Sequence, residues 1–72
     1  KMAGVRALER GFPQHKFEVV RLDVDDKSRR VSATVEATIG DKISKGTADA
    51  NIDRDQYRSM ALAIISAGAE AI

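Results

Sequence analysis

One histidine, a cluster of aspartates, some scattered serines and a set of arginines and lysines are the residues whose types and spacing could do chemistry here. His15 would act as a general base only with a partner fixing its tautomer, and as a metal ligand only with two or three further donors. None stands near it in sequence, so a solvated loop imidazole is expected. Asp23, Asp25 and Asp26 could face a cation, but the glycine and the closing bidentate glutamate of a calcium loop are missing. Ser44, Ser59 and Ser66 have no histidine or lysine arranged with them in a nucleophile motif. Gly40 and Gly46 do not open a strand-to-helix turn followed by a lysine, the pattern that cradles a phosphate. No catalytic residue, no metal ligand and no cofactor are expected, and the chain is read as not an enzyme.

The basic residues are the better candidates. Lys27, Arg29 and Arg30 fall at the tip of a predicted hairpin. Arg54 and Arg58, four apart, fall on one flank of a predicted final helix near its amino end. A helix start also offers free backbone donors to anions. Together the two groups could bridge neighbouring phosphate rows, so duplex RNA or another polyanion is one expected partner. Twelve basic against eleven acidic side chains leave a net charge of +1, which argues against strong non-specific polyanion binding. Asp53 and Asp55 interleave the two arginines, and Asp55 can pair with Arg58 at a three-residue step.

The elements that must position these residues are legible from periodicity. Ala3 to Arg10 reads as a short helix with Val5, Leu8 and Phe12 turned inward, closed by Gly11 and Pro13. Phe17 to Asp25 reads as a strand with Val20, Leu22 and Val24 on one face and Val19, Arg21 and Asp23 on the other. Asp25 to Ser28 is a polar hairpin turn. Val31, Ala33, Val35, Ala37 and Ile39 alternate with Ser32, Thr34, Glu36 and Thr38, which predicts a strand with one dry face. Gly40-Asp41 is a second tight turn. Ile43 to Ala50 forms the third strand, its alternation breaking at Gly46, where a bulge is expected. Asp53 is the expected N-cap of the last helix, with Gln56 three residues on. Tyr57, Met60, Ala61, Ile64, Gly68 and Ile72 form its apolar stripe, and the helix runs to about Ala71 with fraying at Gly68. Short loops force an antiparallel meander. The expected class is α+β, in the order α-β-β-β-α, with both helices packed on one face of a three-stranded antiparallel sheet.

Seventy-two residues allow one domain. Lys1 ahead of Met2 points to a fragment boundary, and the domain is expected to be part of something longer. With two phenylalanines, one tyrosine and no cysteine, the core is thin and has no disulfide to supplement it. Small domains of this kind gain burial by association, so a homodimer is the rival expectation, formed through the sheet edge or the last helix. No apolar run is long enough to cross a bilayer and no signal-like segment opens the chain, so a cytoplasmic location without membrane contact is expected.

Two family resemblances rest on particular residues. Arg10-Gly11-Phe12-Pro13 running into Phe17-Glu18-Val19-Val20, Gly46 near the end of the third strand, and Ala61 to Ile65 resemble a double-stranded RNA-binding domain over nearly the whole chain. The resemblance implies the same fold and a grip on the RNA duplex by the first helix, the first hairpin loop and the start of the last helix. It implies a minor-groove position for Glu9 and phosphate positions for Arg54 and Arg58. The chain departs from that family in having Asp55 beside Arg54, where the family has a second lysine, and in lacking the family's proline and histidine in the hairpin loop. Ala33 to Ile43, Gly46 and Asp49 to Ala63 are similar to one strand-strand-strand-helix unit of the regulatory domain of isopropylmalate synthase-like enzymes. That second resemblance implies pairing with another copy and a feedback amino acid held near the interface.

Overall fold

The computed structural model describes residues 2–72; Lys1, and with it the reading of a boundary ahead of Met2, lies outside the described residues. The described residues form helix α1 (Ala3–Gly11), strands β1 (Lys16–Asp25), β2 (Arg30–Ile39) and β3 (Lys42–Asn51), and helix α2 (Gln56–Ala71). The strands make one antiparallel sheet in the order β1-β2-β3. Both helices cover one face, so the α+β, α-β-β-β-α architecture is the one observed.

The central strand sets the core because its residues alternate without a break. Val31, Ala33, Val35 and Ala37 are buried beneath the helices, while Ser32, Thr34, Glu36 and Thr38 lie on the open face. Gly40 adopts φ +59° in the two-residue connection between Ile39 and Lys42, a left-handed position that glycine fills without strain. Val5 and Leu8 of α1, Phe17 of β1, Ile52 after β3, and Ala63, Ile64, Ala67 and Ala71 of α2 complete the core.

The expected bulge is present, but in another strand. β3 pairs with β2 in unbroken register from Lys42 to Asn51, and the irregularity lies between Val19 and Arg21 of β1. Val20 is the extra residue and is left exposed. The phase of β1 therefore changes in mid-strand: Phe17, Val19 and Leu22 pack toward the core, which corrects the faces read from sequence. Gly46 has a different role. A Cβ there would stand 2.8 Å from the carbonyl carbon of Glu70 and nearer still to backbone atoms of Ala67 and Ala71. It lets α2 rest backbone against backbone on β3, and the Ser44 hydroxyl donates to the Ala71 carbonyl beside it.

Helix α2 is rotated and shortened relative to expectation. It begins at Gln56, and its N-cap is Asp55, whose carboxylate accepts from the Arg58 backbone N–H at 3.2 Å. Asp53 instead accepts from the Asp55 N–H at 3.0 Å, two residues too early to cap the helix. The buried face is Ser59, Ala63, Ile64, Ala67, Gly68 and Ala71. Met60, Ala61, Ile64 and Gly68 of the expected stripe are buried or half-buried, whereas Tyr57 is 82% exposed and Ile72 54%. Gly68 does not fray the helix; it is the seat of Leu8, whose Cδ2 would lie 2.7 Å from a Cβ there. Gly4 meets Ile64 in the same way, at 2.8 Å, so the two helices cross at glycines on both sides. Phe12, expected to turn inward, is the C-cap of α1 and is exposed.

Candidate functional site

The basic residues of the hairpin and of the α2 start are brought to one end of the sheet, and Arg29 does the joining. It takes a left-handed backbone conformation, φ 56°, at the last position of the turn. Its carbonyl accepts from the Ile52 N–H at 2.8 Å, and its guanidinium Nη2 donates to the carbonyls of Asp53 at 3.1 Å and Ile52 at 3.4 Å. The turn and the β3–α2 linker are thereby tied by main chain and side chain at once. The tie has a consequence for ligand binding: much of Arg29's donor capacity is already committed within the protein.

Arg30, placed at the tip by sequence, is the first residue of β2 and lies 3.6 Å from the Asp49 carboxylate, both half exposed. Asp49 also accepts from the Ser32 hydroxyl at 2.7 Å. Arg54 sits in the linker before α2, because the helix starts two residues later than Arg54. The single helix flank expected for Arg54 and Arg58 is thus not formed: only Arg58 is helical. Lys27, Arg54 and Arg58 are exposed and, among the described residues, their side-chain nitrogens meet no carboxylate within bonding distance. Glu9 lies elsewhere. It lines a shallow cleft with Lys16, Phe17, Glu18, Glu36 and Thr38, at the end of the sheet where β1 begins. At about 3.3 Å per residue, that end is roughly 25 Å from the hairpin turn.

Acids fill much of the space between these cations. Asp25 caps the turn, its carboxylate accepting from the Lys27 N–H at 3.0 Å and the Ser28 N–H at 3.3 Å. Hydrogen bonds from the backbone and hydroxyl of Ser28, then from the Lys27 backbone, hold its pKa below the ordinary carboxylate value. Asp23 is occupied by Arg21 at 2.6 Å. Asp53 and Asp55 are turned to backbone N–H groups, as described above. Among the described residues no group of three or more histidine, aspartate or glutamate side chains is placed to hold a metal ion.

The remaining chemical candidates are absorbed by structure. Ser59 is buried, donating to the Asp55 carbonyl at 3.2 Å and accepting from the Asp53 N–H at 3.4 Å, so it fastens the linker to the helix. His15 is half-buried, not freely solvated: its ring stacks on Phe17 at 5.9 Å between centroids and meets Phe12 edge-on at 6.0 Å.

A second surface escaped the sequence reading. Leu62, Ile65 and Ala69 of α2 and its C-cap Ile72 recur at steps of three, four and three, on the side away from the sheet. Leu62 and Ile72 are about half exposed, Ala69 is exposed and Ile65 is half-buried. The signal was available in the composition of the helix, whose sixteen residues include only two charges, Arg58 and Glu70. Around the corner, Met2, Ala3, Gly4, Tyr57, Met60, Ala61 and Ile64 line an apolar groove of about 210 Å³ between the starts of the two helices. Among the described residues no helix is long and apolar enough to cross a membrane. Comparison with family models, with curated proteins and with solved structures finds no match for this chain.

Proposed function

We propose that this domain is a non-catalytic association module that works by holding another protein surface against the outer face of α2. The observation that carries the reading is the distribution of size on that helix. Its inward face is built mostly from Ser59, Ala63, Ala67, Gly68 and Ala71, while Leu62 and Ile72 stand about half exposed on the outer side and Ile65 packs only partly against the core. A helix that is apolar on every side is normally covered on every side. Small residues beneath and large ones outside fit a helix shared between two bodies.

The test is a dye and stability measurement on Leu62→Glu/Ile72→Glu. Wild type should bind anilinonaphthalene sulfonate or associate through α2, and the double variant should lose both while keeping its circular dichroism spectrum and melting temperature. A wild type that does neither, or a variant that melts far lower, overturns the reading, because the face then belongs to the domain's own core.

A second reading, duplex RNA binding, is favoured by one observation. Arg29 ties the turn carrying Lys27 to the linker carrying Arg54, and three cations at that end lack carboxylate partners among the described residues. The interleaved aspartates speak against it. Triple reversal of Lys27, Arg54 and Arg58 to Glu should abolish any duplex RNA shift seen at low salt, and wild-type binding that persists at high salt would exclude a phosphate-driven contact.

A further inference from the structure

We infer that β3 is an edge through which two copies join: the β3 of a second copy pairs antiparallel with it across a two-fold axis at Thr47, making one six-stranded sheet. The two edges of the sheet are finished differently. β1 is broken by the bulge at Val20 and sets the Arg21–Asp23 ion pair directly after it, and bulges and charges of this kind blunt an edge. β3 runs ten residues in unbroken register with β2 and contains no proline. The ladder fixes which of its backbone groups point outward. The Ile52 N–H bonds the Arg29 carbonyl, so alternation turns the main-chain groups of Ala50, Ala48, Gly46 and Ser44 toward β2. Those of Asn51, Asp49, Thr47, Lys45 and Ile43 face outward, and among the described residues no hydrogen bond reaches them.

Charge selects both the occupant and the register. An axis at Thr47 sets Lys45 opposite Asp49 of the second copy, twice by symmetry, and Thr47 opposite itself, both favourable cross-strand pairs. An axis at Lys45 or at Asp49 opposes like charges, and one at Gly46 or Ala48 leaves both charges facing neutral residues. Lys45 is exposed and meets no carboxylate within bonding distance among the described residues. Asp49 holds Ser32 and Arg30 and is still half exposed. Beneath the helix, Ser44, Gly46, Ala48 and Ala50 put no bulky side chain at the seam. Pairing from Ile43 to Asn51 exchanges about ten main-chain hydrogen bonds, as many as a typical protein interface carries.

Sedimentation from micromolar to millimolar protein should show a species of twice the 7.8 kDa chain mass. Lys45→Glu and Asp49→Lys, both at exposed sites, should each raise the dissociation constant at least about tenfold, because each opposes like charges across the axis. An equimolar mixture of the two variants should associate as tightly as wild type. Lys45 and Asp49 stand about 13 Å apart along one strand, so only a contact between copies gives that rescue. The chain has no cysteine, so single-cysteine variants report the register directly. On oxidation Thr47→Cys should join to itself, its two Cα atoms falling about 5.5 Å apart. Ile43→Cys should join to Asn51→Cys and not to itself. A mixture that associates no better than its components, an Ile43→Cys that joins to itself, or a chain that stays at 7.8 kDa throughout overturns the inference. The edge lies apart from the outer face of α2, so Leu62→Glu/Ile72→Glu should keep this dimer, and either proposal can fail without the other.

Discussion

The two helices lie on the same face of the same sheet and are finished to different degrees. α1 turns Gly4, Val5 and Leu8 inward and exposes Arg6, Ala7 and Arg10, so its outside is complete in water. α2 is longer, turns mostly small residues inward, and carries Leu62, Ile65 and Ile72 on its far side. The difference teaches that α2's apolar content exceeds what its own sheet can use. Glycine and alanine under α2 give contact by closeness, through backbone resting on backbone, while bulk is held in reserve on the outside.

Five measurements would break or sharpen that contrast. Ile64→Ala removes the one large side chain of α2 that is fully buried, and should cost about 4 kcal/mol, read by urea denaturation. For 72 residues that is a large share of the roughly 4–11 kcal/mol expected, so the variant should unfold at a much lower urea concentration. Gly46→Ala places a methyl into the α2 backbone and should cost about 3 kcal/mol, despite alanine's normal advantage over glycine in a strand. Asp55→Ala should lower the melting temperature by about 4–8 °C, the equivalent of about 1 kcal/mol for a lost cap. Leu62→Ala, on the outer face, should change monomer stability by less than about 0.5 kcal/mol; a loss like that of Ile64→Ala would erase the distinction between the two faces.

The smallest effect concerns acid. Asp25 has a depressed folded pKa, so its contribution is fully present above the unfolded carboxylate value and fades as pH falls through the folded one. As pH falls below the ordinary carboxylate value, the protection of the Lys27 and Ser28 amides, measured against the intrinsic exchange rate at each pH, should fall, and Asp25→Asn should remove that pH dependence.

The strand order and the meander were readable because β2 alternates cleanly and its turns are short. What was not readable had physical causes. Val19 and Val20 are adjacent apolar residues, and only the register against Val35 and Thr34 reveals which one is extra. Asp53 and Asp55 are both acceptable caps; Ser59, which contacts the Asp55 carbonyl and the Asp53 amide together, decides between them. That two-residue shift removed Arg54 from the helix and dissolved the expected basic flank. Arg29 looked like a surface cation, and no local pattern signals that its guanidinium closes a linker more than twenty residues away. Tyr57 fits the spacing of the inward stripe, but the first turn of α2 runs past the start of α1, where only Met2, Ala3 and Gly4 are near it.

The bare contact at Gly46 has a mechanical consequence. A helix cushioned by long side chains can slide or roll as those chains change rotamer, and a load on its outside is then partly lost in the cushion. Here the main chain of α2 sits directly on the main chain of β3, pinned by Ser44 near the helix's end, while Ser59 fastens its first turn to the linker that follows β3. Whatever grips Leu62 and Ile65 therefore grips the whole sheet stiffly, and the domain transmits a pull or a twist as one solid piece.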